Sequence, residues 1–130
     1  MRILQPEGWA RPRGYSNGIE AEGKLVFVAG QIGWDEEGKF RTRSFAGQFR
    51  QALANTLAVL EQASAGPEHI VRMTWFITSR EDYAAALPEL GTAWKELMGR
   101  NYPAMSVIIV SGLVEPAAKI EIETTAVVPR

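Results

Sequence analysis

The sequence predicts a single α+β domain in which two helices pack on one face of a mixed β-sheet. Three observations favour this class of fold. Apolar residues recur with the strand period of two in five segments and with the helical period of about 3.6 in two others. The resulting order is β-β-α-β-α-β-β, which leaves two helices to cover one sheet face. The 130 residues contain no repeat, linker or low-complexity tract, which indicates one domain over residues 1–130.

A β-hairpin is predicted near the start of the chain. Residues 15–21 lead to a turn at Glu22-Gly23, and the apolar, β-branched segment 24–32 is expected to run back beside them. Gly30 interrupts this second strand. Because a glycine inside a strand often marks a bulge or a close approach of another group, position 30 is expected to be irregular.

The first helical segment begins at Ser44, which is expected to be its N-cap. Its apolar stripe leaves Gln48, Gln51 and Asn55 on other faces of the helix. Gly66-Pro67 is a strong helix stop, so the helix is expected to end before this dipeptide.

The second half of the chain is predicted to contain a strand, a second helix and two further strands. A strand is predicted over residues 70–78, and Ser79 then begins a second helix with the spacing of a capping box. Pro88 either kinks this helix or starts its main segment. The last two strands are predicted over residues 105–111 and 119–128.

The strand that follows Tyr102-Pro103 is apolar on both faces. Alternation places Met105, Val107 and Ile109 on one side and Ala104, Ser106, Ile108 and Val110 on the other. Because two helices cover only one sheet face, the second face needs cover from outside the subunit. Exposed apolar faces usually mark interfaces, so a closed, symmetric homo-oligomer is expected.

The composition argues against several classes of function. The formal net charge is −1 and both signs are spread along the chain, so no basic stripe marks a nucleic-acid interface. The absence of cysteine excludes disulfides, thiol nucleophiles and thiolate metal sites, and His69 is the only histidine. No window is apolar enough to span a membrane and no signal-peptide pattern is present. A cytoplasmic protein without cofactor, metal, nucleic-acid or membrane partner is expected.

Two carboxylates on the last strand are the candidates for acid–base chemistry. Glu121 and Glu123 point the same way, opposite Ile120 and Ile122. One interpretation is a solvated face, because charged side chains usually stay exposed. The other is that one carboxylate lies in a cleft between subunits and positions a water molecule as an acid or base. Tyr15 leaves similar alternatives open, since it either belongs to the core or lines a site.

Six short motifs extend over nearly the whole chain. They are Gly14-Tyr15-Ser16-Asn17-Gly18, Val28-Ala29-Gly30-Gln31-Ile32, Gln51…Asn55…Leu60, Ile70-Val71-Arg72-Met73-Thr74, Tyr102-Pro103-Ala104 and Lys119-Ile120-Glu121-Ile122-Glu123. In this order and spacing the chain resembles the YjgF/RidA family of reactive-intermediate (enamine/imine) deaminases, also called L-PSP-type endoribonucleases. The resemblance implies a chorismate-mutase-like fold and a homotrimer. Its sheets would form a central barrel, with three clefts between neighbouring subunits.

The resemblance also implies site positions. In the deaminating members, Pro-Ala is followed by an arginine that holds the substrate carboxylate, whereas Met105 stands there in this chain. A thioether cannot form that bidentate, charge-assisted pair, so Met105 is expected to make the cleft floor apolar and adaptable. Glu121 matches the residue that positions the hydrolytic water. The substrate-binding residues expected in the cleft are Tyr15, Gly30, Ile32, Met105 and Val107.

Three functions are compatible with a methionine at position 105 in place of the family's arginine. The first is a divergent deaminase whose small-molecule substrate is larger and less polar near Met105, such as an aromatic-ring breakdown product or a masked carboxylate. Arg13, Arg41 or Arg43 would then hold a distant acid group, although each is equally explained as surface charge. The second is a trimer that binds a small ligand without turnover. Endoribonuclease activity ranks last, because neither a basic stripe nor a histidine pair is present.

Overall fold

The computed structural model describes all 130 residues. Its six strands are β1 (Arg2–Leu4), β2 (Gly18–Glu20), β3 (Lys24–Ile32), β4 (Ile70–Ile77), β5 (Ala104–Ile109) and β6 (Ile120–Val128). Its three α-helices are α1 (Phe45–Glu61), α2 (Arg80–Ala85) and α3 (Leu87–Met98), and a single 3₁₀ turn spans Pro67–His69. After β3 the order of elements follows the predicted α-β-α-β-β, except that the second helical segment is divided into α2 and α3.

Four strands form one mixed sheet in the order β3-β6-β4-β5. β6 runs antiparallel to both β3 and β4, whereas β4 and β5 are parallel. A parallel pair needs a long crossover, and α2 and α3 supply it between β4 and β5. The predicted α+β class with a mixed sheet is therefore confirmed.

The predicted hairpin of residues 15–21 with 24–32 is wrong. β2 pairs with β1 in a separate two-stranded ribbon, while β3 pairs along its length with β6. The turn at Gly23 has a φ of +151°, and a Cβ there would lie 2.9 Å from the carbonyl carbon of Val128. The chain therefore enters β3 directly against the end of β6. Local turn signals identified the reversal of direction but not the partner strand.

Both predicted N-caps are present. The Ser44 hydroxyl accepts a hydrogen bond from the Gly47 N–H at 3.0 Å, and the Ser79 hydroxyl accepts one from Asp82 at 3.1 Å. Each cap satisfies a free amide in the first turn of its helix. Pro88 lies in the first turn of α3, so of the two alternatives it starts the main segment rather than kinking a longer helix.

The core lies between the helices and one face of the sheet. Its fully buried apolar side chains are Phe49, Leu53, Leu60, Met73, Ile77, Met98, Ile120 and Ile122. Gln48, predicted to lie off the apolar stripe, is buried as well. Its side chain donates to the Ala117 carbonyl at 3.0 Å and accepts from the Lys119 N–H at 2.7 Å. Since these bonds satisfy its amide, Gln48 fastens α1 to the segment that precedes β6.

The opposite face of the sheet has no helix on it. Phe27 and Leu25 on β3 are 71% and 62% exposed, and Ile108 on β5 is 44% exposed. The expectation of an uncovered apolar face is therefore confirmed for one subunit. None of the helices combines the length and the apolar character that a membrane span requires.

Candidate active site

Glu121 lies on the uncovered face of the sheet. It is aligned with Phe76 on β4 and Ile32 on β3, while its neighbours Ile120 and Ile122 are buried beneath the helices. The residue is half-buried, and its carboxylate makes no hydrogen bond or ion pair within the chain. Glu123, two residues further on, is on the same face and exposed.

Gly30 lies directly beside this carboxylate. The register between β3 and β6 shifts between Val28 and Gln31, so Gly30 lies within a β-bulge, as the sequence indicated. A Cβ at position 30 would lie 2.7 Å from Cδ of Glu121 and 2.8 Å from its Cγ. Only a residue without a side chain leaves the carboxylate in this position.

The end of β3 is fixed by helix α1. The Asn55 side chain donates to the carbonyl oxygens of Ile32, at 3.1 Å, and Trp34, at 2.7 Å. Gln51 in turn donates to the Asn55 side-chain oxygen at 2.8 Å. These polar residues of α1, singled out by the sequence motif, therefore hold the buried Ile32 beside the Gly30 bulge.

Met105 and Val107 lie on the other side of the sheet. Met105 is aligned with Met73 and Val107 with Trp75 on the parallel neighbour β4. Because directly paired residues share a face, both side chains point toward the helices. They line a cavity of about 730 Å³ between α3 and the edge strand β5, together with Tyr15.

Ser16 holds Tyr15 at this cavity. Its N–H donates to the Pro103 carbonyl at 3.0 Å and its hydroxyl donates to the Tyr102 carbonyl at 2.5 Å. Ser16 is buried, so the loop that carries Tyr15 is attached to the start of β5. The sequence identified Ser16 only as part of a motif and gave it no role.

The cavity has an aromatic wall that the sequence did not predict. Trp75 on β4 and Trp94 on α3 have ring centroids 6.0 Å apart, and Trp94 stacks on Tyr102 with 14° between the ring planes. We call the space bounded by Trp75, Trp94, Tyr102 and Met105 the aromatic cavity. Its wall could not be read from sequence because these tryptophans are far apart in the chain and show no common period.

The predicted site residues thus fall into two groups within one subunit. The first group is Glu121 with Gly30, on the uncovered face, and the adjoining end of β3 at Ile32. The second group is Tyr15, Met105 and Val107, on the helix side at the edge strand. One subunit does not bring the carboxylate and the aromatic cavity together.

The three candidate arginines are also separated. Arg13 lines the aromatic cavity. Arg41 pairs with Asp35 and, at 3.6 Å, with Glu37. Arg41 and Arg43 line a separate polar cavity near the start of α1. Only Arg13 is therefore placed to meet a ligand that contacts Met105.

Asp35 organises the loop after β3. Its carboxylate accepts hydrogen bonds from the backbone N–H groups of Lys39, at 3.0 Å, and Glu37, at 2.9 Å. The Lys39 hydrogen bond lowers the pKa of Asp35 most; burial opposes this, and Arg41 adds to the lowering. This is a structural role in a loop away from the aromatic cavity.

His69 lies in the 3₁₀ turn before β4, where its Nδ1 accepts a hydrogen bond from the Gly66 N–H at 3.0 Å. It lines neither the aromatic cavity nor the polar cavity. No group of three or more His, Cys, Asp or Glu side chains converges as a metal site would require.

Comparison with known proteins identifies the family. Residues 9–128 match the family model described as Endoribonuclease L-PSP. A RutC family protein of Synechocystis is 34% identical over 99% of this chain and 98% of its own length. The 2-iminobutanoate/2-iminopropanoate deaminase of Salmonella typhimurium is 31% identical over 87% of this chain and 86% of its own.

The same family appears among solved structures. A Rid family protein, YyfB of Yersinia pestis, has a TM-score of 0.87 and 30% identity over 98% of both chains. E. coli TdcF with bound serine has a TM-score of 0.72 and 29% identity, over 98% of this chain and 99% of its own. The chain therefore belongs to the YjgF/RidA family, and the predicted family fold is confirmed.

Proposed function

We propose that this protein is an enamine/imine deaminase, which hydrolyses a reactive C=N compound to a carbonyl compound and ammonia. One observation carries the proposal: Glu121 is half-buried and presents an unpaired carboxylate beside the Gly30 bulge, on a face that is open within the subunit. Such a group can accept a proton from water next to a bound electrophile. The similarity to the Salmonella deaminase supports the reaction class.

The reaction needs one water molecule and one group that moves protons. An enamine first tautomerises to the imine. The water oxygen then bonds to the imine carbon, the π electrons of the C=N bond move to nitrogen, and Glu121 transfers the proton from the water to that nitrogen. Glu121 then carries the hydroxyl proton of the resulting carbinolamine to its nitrogen. An oxygen electron pair forms the C=O bond as the C–N bond breaks and its electrons leave with nitrogen, so the products are the carbonyl compound and ammonia. No redox partner is required.

We propose further that the site is assembled from two subunits of a homotrimer. Glu121 and Gly30 lie on one sheet face, whereas Met105 and Val107 lie on the other. A neighbouring subunit packed on the apolar uncovered face would bring its edge strand β5 toward Glu121. Exposed Phe27 and Leu25 supply the apolar area for such an interface.

A subunit-mixing experiment tests this arrangement. Met105→Trp fills the aromatic cavity and Glu121→Gln removes the base, so each homotrimer is expected to be inactive. If the two groups meet across the interface, random co-assembly at equal amounts regenerates about a quarter of the intact clefts, and activity returns. If both groups of a cleft came from one subunit, mixing would restore nothing.

Binding of a small ligand without turnover is the second candidate function, and Met105 favours it. Without an arginine at position 105, the subunit lacks the carboxylate clamp implied for the deaminating members. A panel of enamines generated in situ, with ammonia release as the readout, separates the two functions. Release from at least one enamine is expected. Ligand-induced stabilisation with no release from any of them would favour the binding function.

RNA cleavage, suggested by the words of the family description, is the third candidate. RNA incubated with the same preparation is expected to stay intact, because the single histidine already accepts a backbone hydrogen bond at Gly66.

A further inference from the structure

The aromatic cavity is large and mostly apolar. Its volume of about 730 Å³ is typical of sites for drug-sized ligands. Nine of its fifteen lining residues are hydrophobic, and Trp75, Trp94 and Tyr102 are among them, so the lining suits an aromatic or branched apolar group. A two- or three-carbon imino acid would leave most of this space unfilled.

All charged residues that line the cavity are positively charged. Arg13 and Lys95 are the only charged residues among those that line it, and neither forms an ion pair within the chain. No aspartate or glutamate lines the cavity. The complementary group on a ligand is an anion, and a guanidinium suits a carboxylate because it can form two parallel, charge-assisted hydrogen bonds with it.

These cations are not where the family places its carboxylate clamp. Both Arg13 and Lys95 are exposed, at the mouth of the cavity, whereas position 105 on β5 is an uncharged methionine packed against the core. An anion held by Arg13 and Lys95 would therefore be separated from the reacting C=N bond by the apolar body that fills the cavity.

We propose that the ligand is an arylalkyl carboxylate, in which an aromatic group fills the cavity and a carboxylate remote from the C=N bond is held by Arg13 and Lys95. As a substrate class, this rests on the deaminase function proposed above. The C=N carbon lies beyond Met105, toward Glu121 of the neighbouring subunit. The aromatic body packs against Trp75 and Trp94.

Calorimetric titration of the purified protein with 3-phenylpropanoate, which cannot react, tests the proposal. The parent protein is expected to bind it at least tenfold more tightly than the neutral 3-phenylpropanamide, on the usual scale of a charge-assisted hydrogen bond. Pyruvate, which has the carboxylate but no aromatic group, is expected to bind more weakly than 3-phenylpropanoate. Equal affinity for the acid and its amide would overturn the proposal.

Matched variants identify the residues that bind the carboxylate of the ligand. Arg13→Gln and Lys95→Gln are each expected to weaken binding of 3-phenylpropanoate by about tenfold. Arg11→Gln, two residues away and outside the cavity, and Arg43→Gln, in the polar cavity, are expected to leave it unchanged. A loss with Arg43→Gln but not with Arg13→Gln would assign the anion to the other cavity and overturn the proposal.

Ammonia release, measured on the same preparations, keeps the two proposals apart. Charge-dependent binding of 3-phenylpropanoate without release from any enamine would contradict the deaminase function but leave the ligand class standing. Release from enamines that is insensitive to Arg13→Gln and to the aromatic group would support the deaminase and contradict the ligand class.

Discussion

The carboxylate of Glu121 occupies the space that a side chain at Gly30 would fill. A Cβ on Gly30 would lie 2.7 Å from Cδ of Glu121, well inside van der Waals contact. The bulge in β3 and the carboxylate on β6 are therefore complementary. The bulge at Gly30 in β3 makes room for the Glu121 carboxylate on the neighbouring strand β6. This contact connects the glycine of the sequence motif to the proposed acid–base chemistry.

Gly30→Ala is expected to reduce turnover more than stability. The added methyl group forces the flexible Glu121 side chain to move. Displacing a catalytic group by about 1 Å can lower the rate on the order of a hundredfold. The thermal midpoint is expected to change little, because the φ of Gly30 is not in the left-handed region. Parental ammonia release by a folded Gly30→Ala protein would disconnect the bulge from catalysis.

Phe27→Lys is expected to dissociate the proposed trimer. Phe27 is 71% exposed in the subunit, so the lysine is tolerated by the isolated fold but would bury a charge at an apolar interface. Sedimentation velocity at micromolar concentration measures the effect. Val59→Lys, at an exposed apolar position on helix α1, is the control and should remain trimeric. A trimer of unchanged affinity for Phe27→Lys would place the interface elsewhere.

Met105→Arg is expected to raise activity on 2-aminoacrylate generated from serine, on which the parent should be weak. A carboxylate gains a charge-assisted bond to the new guanidinium, worth about ten- to a hundredfold in affinity. The gain is expected to be partial, since the aromatic wall remains. Met105→Leu keeps the cavity apolar and serves as the control. If the parent already matches Arg-bearing relatives on this substrate, our interpretation of position 105 is wrong.

Acid is expected to loosen the loop that Asp35 organises. The pKa of Asp35 is lower in the folded chain than in the unfolded one, chiefly through the Lys39 N–H. Its contribution is therefore present above the unfolded pKa and is lost as the pH falls through the lowered folded value. Amide exchange at Lys39, followed by NMR below about pH 4, measures this. Asp35→Asn should abolish the pH dependence of the protection of the Lys39 amide, taken relative to its intrinsic exchange rate. Glu36→Gln should preserve that dependence.

Much of the fold could be predicted because its signals are local. The Ser44 cap and apolar stripe defined the start of α1, and strict alternation gave the correct faces of β5. The Glu22-Gly23 turn led to a wrong hairpin prediction, because a turn signal indicates where the chain reverses direction but not which strands pair. β1 has only three residues, too few to show a period.

The candidate site was predictable only in part. Gly30 and Glu121 stand in motifs, and the structure places them in contact. Trp75, Trp94 and Lys95 could not be assigned to one cavity, because only the packing of α3 against β4 and β5 brings them together. Gln48 was misjudged for a similar reason: its partners Ala117 and Lys119 are some seventy residues away and make its burial favourable.

Steady-state ammonia release by Glu121→Gln, compared with Glu123→Gln, tests the central claim most directly. Both residues lie on β6 and on the same face, but only Glu121 is half-buried beside Gly30. Using the most reactive enamine of the panel, we expect Glu121→Gln to lose about a hundredfold or more in turnover, while trimer formation and binding of 3-phenylpropanoate persist. Glu123→Gln should behave as the parent. Equal rates for Glu121→Gln and the parent protein would remove Glu121 from the mechanism and contradict the proposed function of this site.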